Sequence, residues 1–336
     1  MRILFITSNR IGDAVLSTGV LGHLVEAHPD ARFTIACGPL AAPLFRAVPR
    51  LDRLIPLAKR RYAAHWLSLW RRCVGVHWDL VVDLRNSAVS RLLWSRRTLT
   101  HARSRGTLHK VAEIGAVLGL DPPPAPRLWF DAPALAAADR LLPPAGPLLA
   151  IGPTANWTGK EWPAERFAEL ARRLIAPSGL LPGARVAVFA AGSEVERARP
   201  VIAALGPAAV DLTGRTDPLT AAACIARASL YVGNDSGLMH IAAAAGTPTL
   251  GLFGPGFPEV YGPRGRSARA VTGTVPRDEL LRRAADGGAA GLMDGISVDA
   301  VESAAAALWQ AMDDRSNPCD ENGSNILQSI ENVPLR

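Results

Sequence analysis

The residues that could do chemistry fall in three short polar segments, each following a short apolar run. Gly12-Asp13 comes after residues 2–8, Thr154 to Lys160 after 148–151, and Asn234-Asp235-Ser236-Gly237 after the run that opens at Leu230. A carboxylate such as Asp13, at the carboxyl end of a strand and facing a cleft, can act as a general base. Position alone favours a first-turn acid interacting with a helix dipole. Lys160 offers a compact ammonium for phosphate oxygens. It is one of three lysines, with Lys59 and Lys110, against 34 arginines; that retention is informative only mildly, since one residue also fits chance. The 234–237 turn opens a helix whose free N–H groups and partial positive charge favour anions. Gly237 lets a ligand approach that backbone. His240, about one and a half turns further on, reads as a packed, hydrogen-bonded support for the turn, with Gly12 and Asn234 in similar supporting places.

These segments need elements that carry them to one cleft. Strands are expected at 2–8, 33–37, 79–84, 148–151, 185–190 and 209–212, and on both sides of the helix after Gly237. Helices are expected up to His28 and over 164–175, 219–228 and 296–312. This βαβ alternation indicates doubly wound parallel sheets, which bind ligands at the carboxyl ends of their strands. Proline-rich breaks at 121–126 and 143–147 place a boundary between domains 1–145 and 146–312, leaving 313–336 as a polar, flexible tail.

At 336 residues, 49% hydrophobic and 20% charged, the chain has globular composition and room for two domains. Its four cysteines (Cys37, Cys73, Cys224, Cys319) are scattered, so neither a disulfide framework nor a zinc site is expected, and a reducing compartment is the simpler reading. Residues 3–7 are too short an apolar run for a signal peptide, and no run is long enough to cross a membrane. No spacing fits a metal cluster, a Walker A loop, a complete GxGxxG or a GxSxG elbow. Charge is concentrated: Lys59 to Lys110 holds twelve Lys or Arg against Asp79 and Asp83 alone. Such a face fits an anionic partner (a phosphorylated substrate or an acidic lipid surface before nucleic acid), or simply a solvated basic surface. Lys59, Arg60 and Arg61 are its candidate acceptor contacts.

Four segments in order resemble glycosyltransferase family 9, the ADP-heptose:lipopolysaccharide heptosyltransferases and their relatives. They are Arg10 to Thr18, Thr154 to Pro163, Asn234 to His240 with Gly246-Thr-Pro and Leu252-Phe-Gly-Pro255, and Met293 to Val298. The chain departs from the family at Gly19, where Pro is usual, at Gly256, where Thr or Ser is common, and at Gly291-Leu292, where a Cys often precedes the Met. The resemblance implies a GT-B fold, two facing Rossmann-like domains with parallel sheets and a central cleft, the acceptor on the first and the nucleotide sugar on the second. It implies inverting transfer without a metal or other cofactor. Asp13 would be the base, Thr154, Lys160, Asp235, Ser236 and Gly237 would hold an ADP-sugar, and an anionic lipid-linked oligosaccharide would accept heptose. The enzyme would be cytoplasmic, peripheral to the inner membrane. Another nucleotide sugar, an epimerase or hydrolase, and a non-catalytic member of the family remain as alternatives.

Overall fold

The computed structural model describes residues 1–59, 61–101, 108–142 and 146–316. The first half contains strands β1 (Arg2–Ile6), β2 (Arg32–Cys37), β3 (Leu51–Pro56), β4 (Leu80–Asp83) and β5 (Thr98–Thr100), with helices α1 (Ile11–Leu16), α2 (Thr18–Ala27), α3 (Ala64–Cys73), α4 (Lys110–Ala116) and α5 (Ala132–Leu141). The second contains β6 (Leu148–Gly152), β7 (Arg185–Val188), β8 (Ala209–Asp211), β9 (Leu230–Asn234), β10 (Thr249–Phe253) and β11 (Ala268–Thr272). Its helices are α6 (Ala164–Ile175), α7 (Val195–Leu205), α8 (Pro218–Ile225), α9 (Gly237–Ala244), α10 (Pro258–Tyr261), α11 (Arg277–Ala285) and α12 (Val298–Ser316).

Both sheets are parallel, in the orders β3-β2-β1-β4-β5 and β11-β10-β9-β6-β7-β8. Parallel strands are covered on both faces and therefore run apolar from end to end; β6, β9 and β10 are buried throughout. In each sheet the strand order reverses beside the first strand, between β1 and β4 and between β6 and β9. The crevice above such a reversal is where open α/β sheets bind ligands. One core cluster packs helices of both halves between the sheets, and two smaller clusters cover the outer faces.

The helix expected to run up to His28 is two helices. Ser17 Oγ donates to the Ala14 carbonyl at 2.7 Å, and Thr18 Oγ1 to that of Val15 at 2.7 Å. Such back-bonding competes with the helical ladder and bends it. At Gly19 a Cβ would stand 2.2 Å from the Pro124 carbonyl oxygen. The 122–126 segment thus occupies the space a Pro would need, which explains the departure from the family pattern. The last helix starts at Val298, where Ser297 Oγ accepts from Ala300 N at 3.1 Å, and runs to Ser316. The rest of the expected tail, with Cys319, lies outside the described residues.

Candidate active site

On the first half, β1 ends at Ile6 and the chain turns through Ser8, Asn9 and Arg10 into α1, which places Asp13 in its first turn. Ser8 Oγ faces Asp13 Oδ2 at 3.4 Å. The two line a cavity of about 260 Å³ with Asn9, Arg10, Lys59, His65 and Arg85. Arg85 is held by Asn9 Oδ1 at 3.2 Å and by stacking on Trp66, 5.4 Å from the ring centre. Its turn is shaped by buried Asp83, which accepts from Arg85 N, Ser87 N and Ser87 Oγ at 2.9, 2.7 and 2.6 Å. Burial, then the charges of Arg85 and Lys59, hold the His65 imidazole below its usual range. Lys59 therefore shares a cavity with Asp13. Arg61 does not line it, and Arg60 lies outside the described residues. Arg10 and Arg85 were not among the expected acceptor contacts. Their signal is positional, since each stands in the polar turn after a strand at the reversal point.

On the second half, the loop after β6 carries Thr154 and Lys160. Lys160 Nζ donates to Asp235 Oδ2 at 2.5 Å. Asn234, fully buried, ties the loop to β9: its Nδ2 donates to the Pro153 carbonyl at 2.8 Å, and its Oδ1 accepts from Trp162 N at 3.0 Å. Trp162 in turn donates to the Ile296 carbonyl at 2.9 Å, so the motif at 293–298 braces the loop from below. Thr154 Oγ1 donates to Glu194 Oε2 at 2.8 Å, and Arg197 pairs with both Glu194 and Glu161. Glu194 and Arg197 were not expected, because no motif in the sequence links them to Thr154. Ser236 stands at the N-terminus of α9 with its hydroxyl buried beside the Tyr231 phenol. A Cβ at Gly256 would lie 2.7 Å from Asp235 Oδ2, so the missing side chain there leaves room for the carboxylate that Lys160 holds.

The two halves meet at α1 and α9. A Cβ on Gly12 would come within 2.9 Å of His240 Cδ2, and one on Gly237 within 3.0 Å of Ile11 Cγ2. The glycines let the helices close, which brings the turn that carries Asp13 up to the Asp235–Gly237 turn. His240 is packed into this contact, but its Nδ1 has no hydrogen-bond partner among the described residues, unlike the bonded histidine expected. Burial first, then the charges of His109 and Lys160, push its imidazole down to about 3. His240 is therefore neutral at physiological pH. Among the described residues no three His, Cys, Asp or Glu side chains converge.

The chain and its fold have counterparts among known proteins. The sequence pattern of "Glycosyltransferase family 9 (heptosyltransferase)" matches residues 107–284, more than half of the chain. The chain belongs to glycosyltransferase family 9. Lipopolysaccharide heptosyltransferase 1 of Pseudomonas aeruginosa is 29% identical to it, over 84% of this chain and 87% of that one. A family 9 glycosyl transferase from Veillonella parvula superposes with a TM-score of 0.78 at 24% identity, covering 92% of this chain and 97% of that one. The ADP-heptose lipopolysaccharide heptosyltransferase II of E. coli does so with 0.72 at 23%, covering 93% and 100%. The two parallel-sheet domains are those of a GT-B glycosyltransferase.

Proposed function

We propose that this glycosyltransferase moves heptose from ADP-heptose to an acidic lipopolysaccharide core acceptor at the cytoplasmic face of the inner membrane. The observation that carries the reading is the closure of α1 on α9 through Gly12, Gly237 and His240. It sets a carboxylate among cations against an ammonium beside a helix N-terminus. Asp13 takes the proton of the acceptor hydroxyl as its oxygen attacks the anomeric carbon. The bond from that carbon to the diphosphate breaks on the opposite face, inverting the centre, and ADP leaves with the electron pair. Lys160 has three N–H donors and gives one to Asp235, so two are left for diphosphate oxygens. The N–H groups opening α9 and the Ser236 hydroxyl meet the same oxygens, stabilising charge as it grows. Asn234 and the Thr154–Glu194 bond hold the loop that presents Lys160. Lys59, Arg10 and Arg85 face the anionic groups of the acceptor. That similar proteins are lipopolysaccharide heptosyltransferases supports heptose and lipopolysaccharide.

Calorimetric binding of ADP, UDP, GDP and CMP tests the donor assignment. Selective ADP binding, weakened about tenfold or more in Lys160→Ala by the loss of a charge-assisted contact, is expected. Preference for UDP or GDP would overturn it.

A further inference from the structure

A cavity lies at the other end of the first sheet, and neither base nor donor uses it. It has a volume of about 320 Å³ and is lined by Arg2, Arg32, Thr34, Asp52, Arg53, Val76 and Trp78. Strand register explains the charge. Arg2 on β1 is paired directly with Arg32 on β2, and Arg53 on β3 is paired with Thr34 two residues along. Neighbouring strands stand about 4.8 Å apart, so three guanidinium groups share one wall. Like charges placed this way repel unless an anion stands between them. Asp52 reaches Arg32 only at 3.9 Å and Arg53 at 3.8 Å. Asp79 is engaged by the Arg2 backbone N–H at 2.7 Å. The Arg2 guanidinium has no acceptor among the described residues. Three cations against one distant carboxylate, with Val76 and Trp78 as an apolar wall, fit a phosphate ester better than a bare ion.

The surface around the mouth says where that ester comes from. Arg53 Nη1 donates to the Arg72 carbonyl at 3.0 Å, which brings the end of α3 to the rim. Leu67 and Arg71 stand at i and i+4 on one face of α3, and Val74 is the residue that ends it. Leu67 and Val74 are 49% and 44% exposed. Across the rim, the Trp94 carbonyl accepts from Trp78 N at 2.9 Å, while the Trp94 side chain is 71% exposed and Leu92 is 68% exposed. Arg71, Arg72, Arg91, Arg96 and Arg97 stand exposed among them. Between residues 61 and 101 the acids are Asp79, already engaged, and Asp83, which is fully buried. Exposed Trp and Leu interleaved with Arg, around a cationic pocket, match the headgroup level of an anionic bilayer: apolar tips enter the acyl boundary and charges meet phosphates.

We propose that the Arg2–Arg32–Arg53 pocket binds the phosphate of an anionic phospholipid headgroup, with Leu67, Val74, Leu92 and Trp94 inserting around it. This deepens the membrane-side reading of the proposed function, and it places the lipid contact about 20 Å from Asp13's turn, along β1.

Co-sedimentation of the full chain with vesicles tests it, comparing phosphatidylcholine alone with phosphatidylcholine containing phosphatidylglycerol. The wild type is expected to pellet with the anionic vesicles. Arg2→Gln/Arg32→Gln is expected to bind them about 30-fold more weakly, at about a factor of five per removed charge. Trp94→Ala, which removes no charge, should weaken binding too. Both variants should keep wild-type ADP affinity and transfer to a delipidated acceptor, which separates failure of this proposal from failure of the sugar-transfer reading. Wild-type vesicle binding by the double variant would overturn the pocket assignment. Equal binding of soluble glycerol phosphate and phosphatidylglycerol vesicles would overturn the membrane source, as would equal binding to neutral vesicles.

Discussion

At the scale of single residues, His240 shows most clearly how burial sets chemistry. Its ring fills the α1–α9 contact and stays neutral because burial holds its protonation near 3, whereas the unfolded chain protonates it below about 6.5. Between those values the unfolded state binds the extra proton, so stability falls as pH falls through that window and is fully present above it. One such site contributes about 1.4 kcal/mol per pH unit. His240→Gln is expected to flatten the loss between pH 6.5 and 4.5 in denaturant titrations. Some slope should persist from His109, whose imidazole burial also lowers. An unchanged slope would contradict the buried, neutral histidine. The sequence placed His240 behind the ligand turn but gave no sign of its orphaned Nδ1, because that depends on a helix from the other half. Asp13, Lys160 and Asp235 were legible since each follows an apolar run at a strand's carboxyl end. Glu194 was not, because only the fold carries it to the site.

At the scale of elements, the loop after β6 is a rigid presenter of Lys160, and Asn234 is its fastening. Asn234→Ala would leave the Pro153 carbonyl and the Trp162 N–H buried without partners, each costing about 1–3 kcal/mol. A destabilisation of roughly 2–4 kcal/mol in urea unfolding is expected, together with weaker ADP binding. A neutral effect on both would show that the loop holds itself. The buried strands and α6 were readable from continuous apolar runs and from helical periodicity. β3 and β11 were not, because edge strands such as Leu-Asp-Arg-Leu-Ile-Pro carry polar residues and Pro. The break at Ser17 was hidden too, since Ser and Thr inside a helical pattern do not announce which carbonyl they will bond.

At the scale of the whole molecule, several contacts join the halves. The helices α1 and α5 of the first pack on α9 and α8 of the second. His109 Nε2 pairs with the Gly262 carbonyl at 2.9 Å, and Arg227 donates to Asp139 at 2.8 Å. Arg46 donates to Asp131 at 2.5 Å and to Asp217 at 2.7 Å, the carboxylates that cap α5 and α8. The Arg46 hydrogen bond holds the Asp131 carboxyl below its usual range. Gly12→Ala leaves the other ties intact while wedging α1 away from α9. It is expected to lower transfer by up to about 100-fold, the scale of a 1 Å misplacement, with ADP affinity nearly unchanged. Equal transfer would show that the cleft does not depend on that contact. Two domains were visible from the restart of strand and helix alternation near Leu148. Their mode of closure was not, because it rests on two glycines that look ordinary in sequence. The central claim is acceptor-dependent transfer with Asp13 as base. Its most direct test measures ADP release from ADP-heptose by wild type and Asp13→Asn, with and without heptose-deficient core acceptor. Release only with acceptor, about 100-fold slower in the variant, is the expected result; release without acceptor, or at an equal rate in Asp13→Asn, would contradict it.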